Sequence, residues 1–255
     1  MSTPLQNAIS LYMEGIRDGN ARAAVEKYTG DRYTQHSTGV RDGVEGFVEF
    51  FEPFLERNPD RHIEIVRGWQ DGQHVFLQAH QVLNGGEAQW VTTDFFDTDD
   101  DGLIVEHWDV IAPFHGDMPS GRTSVDGPTE VTDLDQTDAN KAIVREMIEQ
   151  VLMRGGDVSR AGEFIASEYL QHNPDVADGL DAAMEMFTAP DRPLWYEEIV
   201  LLVGAGNFVS TLCRATFDGR EYAQVDIFRL DGGKIVEHWD NAEPVPEDDV
   251  NSGKF

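Results

Sequence analysis

The chain has a single cysteine, only four lysines, and no uninterrupted apolar run of the length that a membrane-spanning helix requires. Each shortage removes a class of explanation. With Cys213 alone, no intrachain disulfide can form and no cysteine-based zinc centre can be assembled. On an apolar strand such a thiol is expected to be a small core residue. A spanning helix needs about 18 apolar residues or more, so none is expected. Met1-Ser2-Thr3-Pro4-Leu5 leads straight into a helical pattern, without the basic and then apolar stretches of a secretory signal, and a cytoplasmic protein is expected. There is no Gly-x-Ser-x-Gly elbow, phosphate loop or dinucleotide fingerprint, which argues against nucleophilic hydrolases and nucleotide enzymes.

Positive charge is the other deficit. Lys and Arg total 19 against 48 Asp and Glu, for a net charge of −29. Such a field repels phosphate backbones and anionic lipid, so neither nucleic acid nor membrane is an expected partner. High negative charge with little lysine suits a protein kept soluble where salt screens charge strongly, and a halophilic source is expected. Undiminished stability in dilute buffer, measured against KCl, would overturn that expectation.

What is present is a repeat. Tyr33-Thr34-Gln35-His36 recurs as Tyr169-Leu170-Gln171-His172, Asp94-Phe95-Phe96 as Asp226-Ile227-Phe228, and Glu106-His107-Trp108-Asp109 as Glu237-His238-Trp239-Asp240. The offsets are 136, 132 and 131 residues, drifting only as small loop deletions would make them drift. The chain is a tandem duplication. Copy one spans 1–116 and copy two 137–255. Between them 117–136, rich in Gly, Pro, Ser, Thr and Asp, reads as a linker or a crossing arm.

Both copies have the same expected element order. In copy one, Leu5, Ala8, Ile9, Tyr12, Met13 and Ile16 follow helical spacing, and helices are predicted over 4–19, 21–28 and 44–56. Strands are predicted over 61–69, 74–83, 88–97 and 103–111, separated by turn-forming clusters. Copy two repeats this, with helices over 137–153, 159–167 and 179–187 and strands over 194–203, 207–217, 220–230 and 234–240. The fold class is α+β: two tandem cone-shaped domains, each with N-terminal helices packed on a curved antiparallel sheet, forming an intrachain pseudo-dimer. A curled sheet around helices leaves a conical pocket for a ligand.

The motifs carry a resemblance. Tyr169-Leu170-Gln171-His172-Asn173-Pro174 with Ala177-Asp178-Gly179, Val225-Asp226-Ile227-Phe228-Arg229, and Asp231-Gly232-Gly233-Lys234-Ile235-Val236-Glu237-His238-Trp239-Asp240 resemble the SnoaL-like, polyketide-cyclase-related proteins of the nuclear-transport-factor-2-like superfamily. The closing Asn251-Ser252-Gly253-Lys254-Phe255 also looks like that family's tail. The resemblance implies an α+β cone, a pocket lined by His and Asp for a small-molecule ligand or substrate, and usually a homodimer, which here the two copies would imitate within one chain, with a further homo-oligomer left open. It also implies aldol closure, isomerisation or epoxide hydrolysis without metal or organic cofactor, although many relatives only bind ligands.

Side chains alternate along a strand, so His107 and Asp109 share one face, with Glu106 and Trp108 on the other; His238 and Asp240 likewise oppose Glu237 and Trp239. Parity alone leaves open which face meets the pocket, or whether His and Asp pair at a sheet interface. Asp94 and Asp226 sit in apolar strands, where a carboxylate is either paired or has a raised pKa useful for acid–base work. The resemblance suggests that His36 and His172 line the pocket, although either could cap a turn. Setting 75–80 against 208–213 places His80 opposite Cys213, and copy one then reads as the more complete site.

The expected function is cofactor-free acid–base catalysis on a small apolar carbonyl compound, by aldol cyclisation or isomerisation. Asp109 or Asp94 would be the base, His107 and His80 would polarise the carbonyl or return the proton, and His36 would orient the substrate. No metal is expected, because no His-x-His or His-x₃-His run preorganises a site. The alternatives are a non-catalytic binding protein, and water addition to an epoxide. The latter wants two carboxylates bridged by an arginine, for which Arg214 and Arg229 are the copy-two candidates.

Overall fold

A computed structural model describes residues 2–192 and 194–255. The first helix, α1 (Pro4–Ser10), starts with a capping box: Thr3 accepts from the Gln6 amide while the Gln6 side chain accepts from the Thr3 amide. It continues as a π-helical turn, Leu11–Arg17. Ala8, Leu11, Tyr12 and Ile16 are buried along one face of this combined helix, as the sequence spacing predicts. Helix α2 (Ala21–Tyr28) runs directly into strand β1 (Thr29–Gln35), and α3 (Gly43–Arg57) follows. Strands β2 (Arg61–Asp71), β3 (His74–Leu83), β4 (Ala88–Thr98) and β5 (Ile104–Pro113) complete copy one.

Copy two repeats the order with α4 (Thr137–Met147), the π-helical turn Ile148–Leu152, α5 (Ala161–Phe164), β6 (Ile165–His172), α6 (Leu180–Thr188), β7 (Leu194–Ala205), β8 (Phe208–Phe217), β9 (Arg220–Asp231) and β10 (Lys234–Pro244). The β8–β9 hairpin turns through Asp218 and Gly219, both at positive φ (48° and 80°), the geometry of a tight primed turn.

Each sheet has five strands, ordered β1-β5-β4-β3-β2 and β6-β10-β9-β8-β7. The expected antiparallel meander is present in both. The fifth strand, β1 or β6, lies parallel to the last one, so the sheets are mixed. Thr29–Gln35 is too polar to read as a strand, because only Tyr33 and Gln35 of its second half are fully buried. In copy two the stretch expected as a helix over 159–167 is a 3-10 turn, Val158–Arg160, followed by the short α5, and it passes into β6 at Ile165.

Two compact units emerge, and they cut across the sequence division at its ends. One comprises Met1–Pro113 together with Val245–Phe255, the other Phe114–Pro244. The segment over 117–136, expected as a linker or a crossing arm, groups with the second unit, and the closing segment with the first. In the first unit the α1 helix, α2, α3 and the inner faces of β2 and β3 share one apolar core, including Leu11, Ile16, Val25, Phe47, Ile63 and Leu77. The second core gathers Val144, Met147, Ile148, Phe164, Tyr196 and Cys213, so the lone thiol is a core residue as expected. Among the described residues no helix is long and apolar enough to cross a membrane.

Candidate active site

In copy one the sheet and helices enclose a cavity of about 200 Å³. Its walls are mostly apolar, with Leu11 and Ile16 from the first helix, Phe47, Phe51 and Phe54 from α3, and Phe96 from β4. The polar lining is concentrated on Tyr12, Tyr33, Gln35, Ser37, Asp94, His107 and Asp109. On β5 the lining residues are His107, Asp109 and Ile111, every second residue, which resolves the parity question in favour of the His–Asp face.

Pairing of β4 with β5 sets Asp94 directly across from Asp109, and β1 sets Gln35 beside His107. The His107 Nδ1–H donates to Gln35 Oε1 at 2.9 Å, which leaves Nε2 facing Asp94 Oδ1 at 3.0 Å. Asp94 also accepts from the Tyr12 hydroxyl, at 3.0 and 3.2 Å, and Tyr12 in turn meets Thr92 Oγ1 at 2.7 Å. Burial raises the Asp94 carboxyl above its ordinary value, against the hydrogen bond from His107. For the two to hydrogen-bond at 3.0 Å, either the Asp94 carboxyl or His107 Nε2 carries the proton between them.

Asp109 is held the other way. Its Oδ2 accepts from Ser37 at 2.6 Å, and the Lys254 ammonium lies 3.4 Å from its Oδ1. Burial would raise this carboxyl, but Lys254, His107 and Ser37 outweigh it and hold it below the ordinary carboxylate range. Two like charges directly across a strand pair repel. Here the conflict is resolved by environments that drive the two carboxyls in opposite directions.

The remaining expected residues fall elsewhere. His36 is buried outside the cavity lining: its Nε2 meets Glu106 Oε1 at 3.0 Å, its Nδ1 meets the Gly253 carbonyl, and its ring stacks on Trp108 at 4.8 Å. It therefore couples the far face of β5 to the closing segment. His80 is also absent from the cavity wall, and its Nε2 lies 3.1 Å from Gln89 Oε1. The cause is a one-residue slip in the sequence alignment. Leu77 pairs with Asp94 and Thr211 with Asp226, so Cys213 corresponds to Ala79, and His80 to Arg214. A slip of one flips a strand residue to the opposite face.

Copy two builds the same constellation. His238 donates from Nδ1 to Gln171 Oε1 at 2.9 Å and meets Asp226 Oδ1 through Nε2 at 3.0 Å, while Asp240 pairs across from Asp226. The phenol on Asp226 is Tyr196, at 2.9 Å, from β7. Asp240 accepts from Asn173 at 2.5 Å. Among the described residues no lysine is paired with it, and burial, with Asp226 adding to it, pushes its carboxyl up to about 6. Burial lowers His238, but the Asp226 carboxylate more than compensates and its pKa is raised. His172 mirrors His36, with Nε2 on Glu237 at 3.0 Å, Nδ1 on the Thr123 carbonyl at 2.8 Å, and its ring stacked on Trp239.

The SnoaL-like domain family matches the chain twice, over residues 9–107 and 144–238. The chain belongs to the SnoaL-like family. Solved structures are similar to parts of the chain at low identity. A protein provisionally described as a polyketide cyclase from Bacillus cereus ATCC 10987 is 18% identical, with a TM-score of 0.38, over 42% of this chain and 73% of its own. IdmH, provisionally described as a polyketide cyclase from Streptomyces antibioticus, is 17% identical at a TM-score of 0.38, over 43% of this chain and 92% of its own. An LEH-like epoxide hydrolase from M. tuberculosis is 18% identical at 0.35, over 43% and 82%. No functionally curated protein matches the chain.

In each SnoaL-like domain the Asp–His–Asp set brings three ligand atoms within 4.8 Å of one another, a spacing that would admit a cation. In copy one the Lys254 ammonium already stands against Asp109. The arginines considered for an epoxide site pair elsewhere: Arg214 with Glu198 and Glu221, and Arg229 with Glu237. Several site residues were not singled out from the sequence. Gln35 and Gln171 lie inside the repeated Tyr-x-Gln-His and so carried a signal. Tyr12 and Ser37 carried none beyond an apolar helix stripe and a polar loop, and Lys254 lay in a closing segment singled out only for its likeness to the family's tail.

Proposed function

We propose that copy one is a cofactor-free acid–base catalyst acting on a small, largely apolar carbonyl compound. The observation that carries this reading is the pair of facing carboxyls at the polar part of an apolar cavity, one driven up and bridged to an imidazole, the other driven down. Titratable groups whose environments separate their pKa values are suited to opposite proton-transfer roles. The Asp109 carboxylate takes a proton from the carbon next to the substrate carbonyl. The Asp94–His107 pair gives the proton between its members to the carbonyl oxygen, producing the neutral enol. In an aldol closure the enol carbon then bonds to a second carbonyl carbon. The enol O–H proton returns to the Asp94–His107 pair, and the proton held on Asp109 passes to the new alkoxide. In an isomerisation the enol is instead reprotonated at a different carbon. The Phe-rich walls fit an apolar substrate body and exclude water from the reacting atoms. In copy two the corresponding roles belong to Asp226, His238 and Asp240, with His172 buried behind them.

The test is deuterium exchange into the α-position of a panel of small ketones and diketones, followed by NMR in D₂O. Wild type should accelerate exchange for at least one compound, and Asp94→Asn and Asp109→Asn should each slow it roughly 100-fold or more. Exchange unaffected by either substitution would overturn the assignment. Tight binding without exchange would identify a binding protein.

A further inference from the structure

We infer that Lys254, carried by the closing segment, is a positioning residue for the copy-one site: by standing on Asp109 it keeps that carboxyl ionised inside the cavity. The inference takes the site from the catalytic reading above but concerns a residue outside the cavity wall.

The segment is fixed to the rim of copy one by a series of specific bonds. Asn251 donates from Nδ2 to the carbonyls of Ser37 and Val40, at 2.7 and 2.8 Å, and the Ser252 hydroxyl donates to Asp42 at 2.9 Å. The Gly39 amide donates to Asp249 at 3.3 Å, and the Gly253 carbonyl meets His36 Nδ1. These contacts deliver the next residue, Lys254, into a buried position, 3% exposed, where its Nζ is 3.3 Å from Thr38 Oγ1 and 3.4 Å from Asp109 Oδ1. An ammonium taken out of water needs a counter-charge. Asp109 supplies one at 3.4 Å.

The groups facing Asp109 come from every neighbouring element: Asp94 from β4, His107 from β5, Tyr33 from β1, Tyr12 from the first helix, Ser37 and Thr38 from the loop after β1, and Lys254. Burial and Asp94 disfavour the carboxylate, while His107 and Ser37 favour it. Lys254 is the one full positive charge that does not depend on the proton between Asp94 and His107.

Copy two supplies an internal control. There the Thr123 carbonyl occupies the place of the Gly253 carbonyl, on His172 Nδ1, so the residue that follows, Ser124, corresponds to Lys254. The facing carboxyl, Asp240, has an Asn173 amide in place of an ammonium, and it stands near pH 6 instead of below the ordinary range. The two carboxyls at this strand position are thus driven in opposite directions, and the full positive charge beside Asp109 is one of the differences between their surroundings, with Ser37 in place of Asn173 another.

The experiment is a ¹³C NMR titration of the full chain carrying ¹³Cγ-labelled aspartate, with Asp109 and Asp240 assigned through Asp109→Asn and Asp240→Asn. Asp109 should titrate below pH 4 in wild type. Lys254→Met keeps the buried stem and removes the charge, and should move Asp109 up by about 1–2 pH units, toward Asp240. Lys254→Arg should hold it low. If Lys254→Met loosens the segment, Lys254→Gln, which keeps a donor for Thr38, gives a second reading. An Asp109 titration unmoved in both neutral variants overturns the inference. Because no substrate is present, the result stands apart from the exchange assay: a shifted Asp109 in a protein without turnover would support the role of Lys254 while defeating the catalytic reading.

Discussion

Copy one and copy two keep their acidic residues and change the partners that satisfy them. Asp94 receives its phenol from Tyr12 on the first helix, whereas Asp226 receives one from Tyr196 on β7. Counting from the family-match starts at 9 and 144, the helix position of Tyr12 is Met147 in copy two; by strand register, Tyr196 pairs with Ala215, the counterpart of Gln81, which pairs with Ile63, so the strand position of Tyr196 is Ile63 in copy one. Glu106 is paired with Arg32 from β1, whereas Glu237 is paired with Arg229 from β9. Even the tryptophans differ: the indole N–H of Trp239 donates to the Asp126 carbonyl, whereas that of Trp108 is buried without a partner among the described residues. A buried carboxylate is costly until a donor reaches it, but the cost does not depend on which element brings the donor. The two copies are therefore more alike as networks than as sequences.

The largest effect expected from this contrast is on stability against pH, and it centres on Asp240. Its folded pKa, about 6, lies above the ordinary value of 3.8, so the native state binds the extra proton. Stability from that group is present below pH 4 and is lost as pH rises through about 6, on the order of 1–3 kcal/mol for a partly exposed carboxyl. The raised His238 acts in the same direction at higher pH: its contribution is present below 6.5 and is lost as pH rises through its folded pKa. Asp109 has the opposite sign. Its folded pKa is depressed, so its contribution is complete above about pH 4 and flat from there to neutrality. Asp94, being raised, gives copy one a slope of the same sign as Asp240. Asp240→Asn should therefore flatten the fall in unfolding temperature between pH 4.5 and 7.5 without abolishing it, and the variant should be the more stable protein at pH 7.5. Parallel curves for variant and wild type would break the contrast between Asp109 and Asp240.

Much of this was legible in the sequence because the repeat exposes register. Asp94-Phe95-Phe96 and Glu106-His107-Trp108-Asp109, with their second copies, fix the two central strands and place a His and two Asp on one face. That these residues are neighbours could be read from the repeat, whereas the bond between Asp94 and His107 and the face that meets the cavity needed the register of β4 with β5. The unreadable parts were long-range. Strand β1 is polar and pairs in parallel with a strand some seventy residues away, so neither composition nor a hairpin turn announces it. Lys254 reaches Asp109 across 145 residues from a segment with no apolar period.

His80 shows how small an error suffices, and its substitution is the mildest of the expected effects. Placing it opposite Cys213 put an imidazole in the cavity, but the register of β3 with β4 makes Ala79 the counterpart of Cys213. Ala79 is fully buried, whereas His80 lies partly exposed beside Gln89 and corresponds to Arg214, which bonds Glu198 and Glu221. The β3 position nearest His80 that does line the cavity is Gln81, its neighbour on the other face. His80→Ala should therefore change exchange activity less than about twofold and stability by about 0.5 kcal/mol or less, as surface substitutions do. Loss of exchange on the scale of Asp94→Asn would mean that the working site opens on the other face of the sheet. In that case Glu106, which His36 and Arg32 already hold, would replace Asp109 as the carboxylate to test.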